Sequence, residues 1–406
     1  MRFKLPKRPS RAWYRNIDWM LPLLIVALGI YSLIGIASAT ATPTIPPDGV
    51  NFWEWLKMMN VYYVRLQLLW FVLGFVLLIL TMTIDYKVYK RFADWIYWAN
   101  VALLAALFIF STASRGAVSW FKLGSRMFQP SEIAKIAIII FLAKKIAACD
   151  GGIHSFKQLL PILGYFLLPF VLILAQPDFG TALVFLSIFA GMMFLGGLRG
   201  RLIAIIAGSG IAAVPVLWMF ILNDVQKQRV LVYLGLASDT GSSAYHVTQS
   251  KIAIGSGQMF GKGMFNTGAL SQLNYVPEKH TDFIFSVVCE TFGFVGAMVL
   301  LGLYFLLIFR LLYMAYKLQD RFCSLIVVGV VSMLFFHIFE NIGMTLGVMP
   351  ITGIPLPLMS YGGSSVFSIM ILLGLVMNVW LRRNRPPEIG GENHEHRIDS
   401  ARQEEA

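Results

Sequence analysis

The stretch PEKHTDFIFSVVCE (277–290) sets Glu278, Lys279, His280 and Asp282 against the start of a long apolar run. Charged groups resist transfer into a bilayer by several kcal/mol, so a cluster at such a border needs a reason to be there. Asp282 stands where an apolar helix is expected to open. One role for it is to cap that helix, aided by Thr281. The other is a general base at the membrane edge, in a field shaped by Glu278, Lys279 and His280. Spacing alone leaves both open. Glu290 follows eight residues on, which predicts a place about two turns deeper on broadly the same side. His280 taken singly reads as a surface or structural histidine.

Other chemistry-bearing residues fall into four groups. Glu132 and Lys135, in QPSEIAK (129–135), lie three apart and so share a helix face. Asp178 opens another apolar run after Pro177, and lone buried charges are costly, so Lys135 is expected to pair with Glu132 or Asp178. Arg115, Lys122 and Arg126 share a loop with Trp120 and Phe121. Those cations suit a diphosphate and the aromatics a sugar face, and ordinary interfacial anchoring accounts for the same residues. In PLPLMSYGGSSVF (355–367), Ser360, Gly362, Gly363, Ser364 and Ser365 precede or open an apolar run. A glycine- and serine-rich helix start offers backbone N–H groups to anions, and it equally permits close helix packing. His337, Glu340 and Asn341, at i, i+3 and i+4, are polar enough to line a cavity, with no evident partner.

The glycine-rich QSKIAIGSGQMFGKGMFNTG (249–268), which carries Lys251, comes close to a phosphate-binding loop around Gly261-Lys262. It fails that pattern because Ser256 replaces the first glycine and Gly263 replaces the magnesium-holding Ser/Thr. Its glycines would either form turns or let backbone approach a membrane-bound substrate. No HExxH, paired CxxC or two-histidine helix is present, so no dedicated metal site is expected.

These residues need elements to hold them, and composition says which kind. The chain has 406 residues, 57% hydrophobic and 13% charged, with a formal net charge of +12. Its mean hydropathy is +0.70. Soluble domains carry about 25% charged residues, so this is an all-α polytopic membrane protein. The basic surplus flanks apolar runs, which orients spans in a bilayer and does not imply nucleic acid. Three dispersed cysteines imply no disulfide framework.

Ten runs long enough to cross recur at about 17–39, 61–83, 93–112, 131–148, 158–175, 179–198, 201–222, 283–310, 322–347 and 357–381. The first is read as a signal anchor that is retained. Lys and Arg precede the first run and follow every even-numbered one, which places both termini in the cytoplasm. The expected layout is a basic N-terminus (1–16), one ten-helix domain (17–381) with a large extracellular loop between helices 7 and 8 (223–282), and a disordered tail (382–406).

Five segments resemble the SEDS family (shape, elongation, division and sporulation): FQPSEIAKIA (128–137), AQPDFGTALV (175–184), YHVTQSKIAIGSG (245–257), PEKHTDFIFSVV (277–288) and GVMPITGIPLPLMSYGGSS (347–365). Gln176-Pro177-Asp178 and Gln249-Ser250-Lys251 are more similar to the RodA branch than to the FtsW branch. The resemblance implies a peptidoglycan glycosyltransferase that polymerises lipid II on the outer membrane face during elongation and shape maintenance. Asp282 matches the family's catalytic aspartate, Trp120 its outer-loop tryptophan, and Glu132, Lys135 and Asp178 its intramembrane charges. Substrate contacts are then expected from these residues and from Arg115, Lys122, Arg126, Lys251, Lys279, His280, Ser360, Gly362, Gly363 and Ser364. The implied partners are lipid II, a polyprenyl-diphosphate-linked glycan, a class B penicillin-binding protein and other elongation-complex membrane proteins. A divalent cation, magnesium or manganese, could assist the diphosphate. A lipid II flippase and a non-catalytic scaffold for a transpeptidase are the rival readings. Ser119 stands where the family often has arginine, which shifts the cationic role to Lys122 or Arg126. Glu340 interrupts a run that is usually apolar.

Overall fold

The computed structural model describes residues 16–40, 61–110, 120–123, 126–149, 151–216, 218–219, 224–233, 236, 242–264, 269–271, 275–276 and 278–383. Arg115 and the terminal segments 1–15 and 384–406 lie outside them. The elements in order are α1 (Met20–Thr40), α2 (Tyr62–Thr83), α3 (Tyr86–Phe110), β1 (Phe121–Leu123), β2 (Arg126–Phe128), α4 (Pro130–Ala147), α5 (Phe156–Ala175) and α6 (Phe179–Leu195). There follow α7 (Gly200–Val216), α8 (Asp224–Tyr233), α9 (Ser242–Ser256), α10 (Ile284–Lys317), α11 (Arg321–Leu346) and α12 (Gly363–Leu381).

A helix lies on each of the ten apolar runs. Among the described residues, seven (α1, α2, α3, α5, α10, α11 and α12) are long and apolar enough to cross a membrane. α6 and α7 have 17 residues each, and α4 carries Glu132, Lys135, Lys144 and Lys145. The chain is therefore a polytopic, essentially all-helical membrane protein. A small antiparallel hairpin joins β1 to β2, pairing Phe121 with Phe128 and Lys122 with Met127.

The bundle is inverted relative to a soluble one. α2, α3 and α5 turn Leu, Val, Ile and Trp outward, for example Leu68, Val72, Val76, Trp95 and Val171. α4, which carries four charged residues, is buried along nearly its whole length. Hydrocarbon solvates apolar side chains at no cost but cannot bond polar ones, so polar groups turn inward and pair. α2 packs along α12, α3 along α4, α10 along α1 and α11, and α11 also against α4 and α6.

One end of the bundle is fastened by ion pairs. Arg310 bonds Asp18 (Nε to carboxylate, 2.8 Å), Lys144 and Lys145 share Asp94, and Arg382 faces Asp85 at 3.5 Å. Asp320 caps α11 by accepting from the Phe322 N–H at 2.8 Å. The opposite end gathers the candidate site.

There α10 breaks at Gly293 (φ 66°, ψ −162°), a left-handed conformation that glycine adopts readily. Thr291 shares a 2.7 Å hydroxyl contact with Ser38 near the end of α1, and Asp282 O accepts from Asn341 near the end of α11. Both ends of this short stretch thus lie at the same end of the bundle. Glu290 is therefore not two turns deeper than Asp282, because the break turns the first helical turns across the bundle.

The glycine-rich stretch after α9 approaches α10 itself. Lys262 N donates to Glu290 O at 2.9 Å, and Phe294 N to Gln258 O at 2.8 Å, which satisfies backbone groups released by the break. A Cβ on Gly257 would lie 1.9 Å from Cys289 O, whereas one on Gly255 would meet nothing within 4 Å. Gly257→Ala is expected to lower stability by about 1–3 kcal/mol through forced backbone separation. Gly255→Ala should leave it unchanged, and thermal unfolding in detergent compares the two.

Candidate active site

Asp282 lies in a tight turn (278–283) whose carbonyls are held one after another. His280 O accepts from Tyr361 N at 2.9 Å, Thr281 O from Ser360 Oγ at 2.6 Å, and Asp282 O from Asn341 Nδ2 at 2.8 Å. Three successive carbonyls fixed by two elements leave the turn little freedom to rotate. α10 begins at Ile284 with Phe283 in the cap position and no side-chain cap bond. The Thr281 hydroxyl turns back to Glu278.

The other half of the clamp is the segment 351–362, which has no regular secondary structure. Its carbonyls find side-chain donors on four helices. Ile354 O accepts from Asn341, Pro355 O contacts His337 Nδ1 at 3.2 Å, and Pro357 O accepts from Tyr304 at 2.7 Å. Met359 O accepts from Ser32 at 2.8 Å and Ser360 O from Gln67 at 3.2 Å. Thr352 donates to Glu340 Oε1 at 3.0 Å, which gives that carboxylate a role in the same segment. Leu358 (φ 58°) and Glu278 (φ 47°), one on each half, hold left-handed backbone despite their side chains. Such strain costs about 1–3 kcal/mol per residue and persists only where the surroundings over-determine it. Gly353 (φ 74°) passes beside the Asp282 carboxylate: a Cβ there would lie 3.5 Å from Oδ2.

Flanking groups complete the rim. The His280 ring lies 4.8 Å from that of Tyr63 and 5.6 Å from that of Tyr361. Lys279 donates to Ser271 O, and burial pulls its ammonium below the ordinary lysine range against the opposing charge of Glu290. The Glu290 carboxylate accepts from the amides of Leu270 (2.7 Å) and Ser271 (2.9 Å) and from Lys262 (3.0 Å). Glu290 thus ties Lys262, Leu270 and Ser271 to the start of α10.

The buried charges form a closed network. Lys135 Nζ lies 2.7 Å from Glu132 Oε1 and 3.2 Å from His337 Nε2, and Ser368 donates to the other Glu132 oxygen. Lys135 is 1% exposed and Glu132 4%. Of the two expected pairings the structure forms Lys135–Glu132. Asp178 instead caps α6, accepting from Thr181 N at 3.1 Å and from Gln129 at 3.0 Å.

The backbones of Lys122 and Arg126 stand in the β1–β2 hairpin, with Trp120 half-buried at its start. Gly362 and Gly363 open α12, and Gly363 lies against the Trp70 ring, so close packing operates there; Ser364 follows, half-buried. Lys251 is exposed and lies across Gly347, where α11 ends. Among the described residues no group of three or more His, Cys, Asp or Glu gathers.

A model of the FtsW/RodA/SpoVE cell cycle proteins matches residues 18–385. The chain belongs to this family. It is 38% identical over 368 residues to peptidoglycan glycosyltransferase MrdB of Escherichia coli K12, covering 91% of this chain and 94% of that one. With RodA of Treponema pallidum it shares 32% identity, covering 91% and 98%. Among solved structures it resembles a chain of a peptidoglycan synthase complex described as coordinating polymerization and crosslinking, with TM-score 0.74, 31% identity and coverage of 91% and 99%. It also resembles RodA of Thermus thermophilus, with TM-score 0.66, 30% identity and coverage of 91% and 98%.

Gln67, Ser368 and Thr352 escaped sequence reasoning. Gln67 carried a usable signal, as an amide inside an apolar run must bond something. Lys135→Met should destabilise the fold by about 3–5 kcal/mol by stranding a buried carboxylate. Adding Glu132→Gln should recover part of that loss, read as apparent melting temperature in detergent.

Proposed function

We propose that the chain is a peptidoglycan glycosyltransferase that polymerises lipid II into β-1,4 glycan on the outer face of a bacterial cytoplasmic membrane, with Asp282 as general base. Ten spans with both termini cytoplasmic fit the charge pattern of the sequence and the ion-paired end of the bundle. That arrangement sets the Asp282 end outside. The observation that carries the assignment is the clamp: three successive carbonyls are fixed, and Gly353 keeps side-chain bulk away from the carboxylate.

The donor is the growing glycan, α-linked to a polyprenyl diphosphate, and the acceptor is the GlcNAc 4-hydroxyl of lipid II. The hydroxyl oxygen attacks the anomeric carbon while its proton passes to Asp282. The bond to the diphosphate breaks with its electron pair, and the configuration inverts. Arg115, Lys122 and Arg126 are the cations assigned to the departing diphosphate, together with the α12 start at Gly362–Ser364. Lys251, Lys279 and His280 are assigned to substrate on the same face. A divalent cation acting here would be held chiefly by the diphosphate's own oxygens.

Membership of this family and likeness to a chain of a peptidoglycan synthase complex support a class B penicillin-binding protein as partner and a role in elongation. A flippase would need alternating access to a midplane site. The described intramembrane charges lie instead in internal pairs and caps, which favours chemistry at one face. A scaffold is distinguished by whether the purified chain alone makes polymer.

In liposomes supplied with lipid II, Asp282→Asn should reduce polymerisation by about 10²–10⁴-fold while leaving melting and insertion unchanged. Wild-type activity of that variant, once shown to be folded, would remove Asp282 from the role.

A further inference from the structure

α11 carries three polar residues toward one strand of irregular backbone. His337, Glu340 and Asn341 reach Pro355 O, Thr352 Oγ1 and Ile354 O respectively. Asn341 alone of the three also bonds the Asp282 turn, with Nδ2 at 2.8 Å from both Ile354 O and Asp282 O. Its amide orientation is settled by chemistry, because the reverse would set Oδ1 against two carbonyl oxygens. Oδ1 itself is buried without a partner, although the residue is 0% exposed. A fully buried amide with one half unsatisfied is a poor device for stability alone.

The far side of the same strand is held through the buried network. A lysine ammonium can only donate, so His337 Nε2 accepts from Lys135 and the imidazole proton resides on Nδ1. That proton points at Pro355 O. Ser368, Glu132, Lys135, His337 and Pro355 thus form one continuous hydrogen-bonded chain, with Glu132 accepting from both neighbours and Lys135 donating to both, that ends next to the carbonyl that Asn341 holds.

We infer that Asn341 is a positioning residue for glycosyl transfer, setting the Asp282 carboxylate against the 353–355 backbone by bridging the two carbonyls. The inference rests on Asp282 being the base. Losing the bridge frees the one end of the turn that neither Ser360 nor Tyr361 restrains. A misplacement of about 1 Å at a reacting group costs about 10²-fold in rate.

The test uses the full chain in liposomes with lipid II, comparing wild type, Asn341→Leu, Asn341→Ser and Asp282→Asn. Asn341→Leu keeps the volume and removes both donors. Measured well below a melting temperature lowered by the two carbonyls left without a donor, its kcat should fall about 10²-fold with KM within about threefold. Asn341→Ser retains one hydroxyl donor and should fall between it and wild type, and it carries the test if the leucine variant does not fold. A folded Asn341 variant with wild-type kcat, or one altered only in KM, overturns the inference even where Asp282→Asn is inactive. An active Asp282→Asn removes the base assignment and this inference with it.

Discussion

Irregular backbone at membrane depth must have its carbonyls satisfied from within the protein, because hydrocarbon offers no donor. The segment 351–362 meets that demand with side chains from α1, α2, α10 and α11, and the site depends on how it does so. Each donor that quiets a carbonyl also ties the segment to another helix. The result is a stretch without secondary structure that is tied to four helices. It can then hold the Asp282 turn through Ser360, Tyr361 and the shared Asn341.

The same physics explains the two ends of the bundle. At one, exposed and half-buried ion pairs stitch helix termini together where water is near. At the other, charges withdrawn from water are paired inside the protein, as with Lys135 and Glu132, or bonded to backbone amides, as with Glu290 and Asp178. The break at Gly293 joins these arrangements. It lets α10 begin next to the Asp282 turn and continue past the break as a long apolar span.

Much of this was legible from local spacing. The Glu132–Lys135 pair follows from a separation of three on one helix face, whereas Asp178, the alternative partner, caps its own helix through Thr181 and bonds Gln129, which is remote in sequence. Asp282 was visible as an acid at an apolar border, but the donors that fix its turn, Tyr361, Ser360 and Asn341, come from segments remote in the chain. His337, Glu340 and Asn341 stood out as polar residues in an apolar run. Their partners in the 352–355 segment lie 12 to 18 residues on, and Asp282, which Asn341 also bonds, lies 59 residues away, beyond any helical periodicity.

The sequence by itself determined a polytopic helical membrane protein, its apolar runs, the family and the acid most suited to chemistry. Those properties are set by composition, local period and motif, which neighbouring residues encode. The tertiary structure alone decided that the glycines of 257–263 serve backbone contact with α10, that Glu290 holds Lys262, Leu270 and Ser271, and that Ser360 and Asn341 hold the Asp282 turn. Each is a bond between groups remote in the chain. Which remote carbonyl a buried donor meets is fixed by how the helices pack.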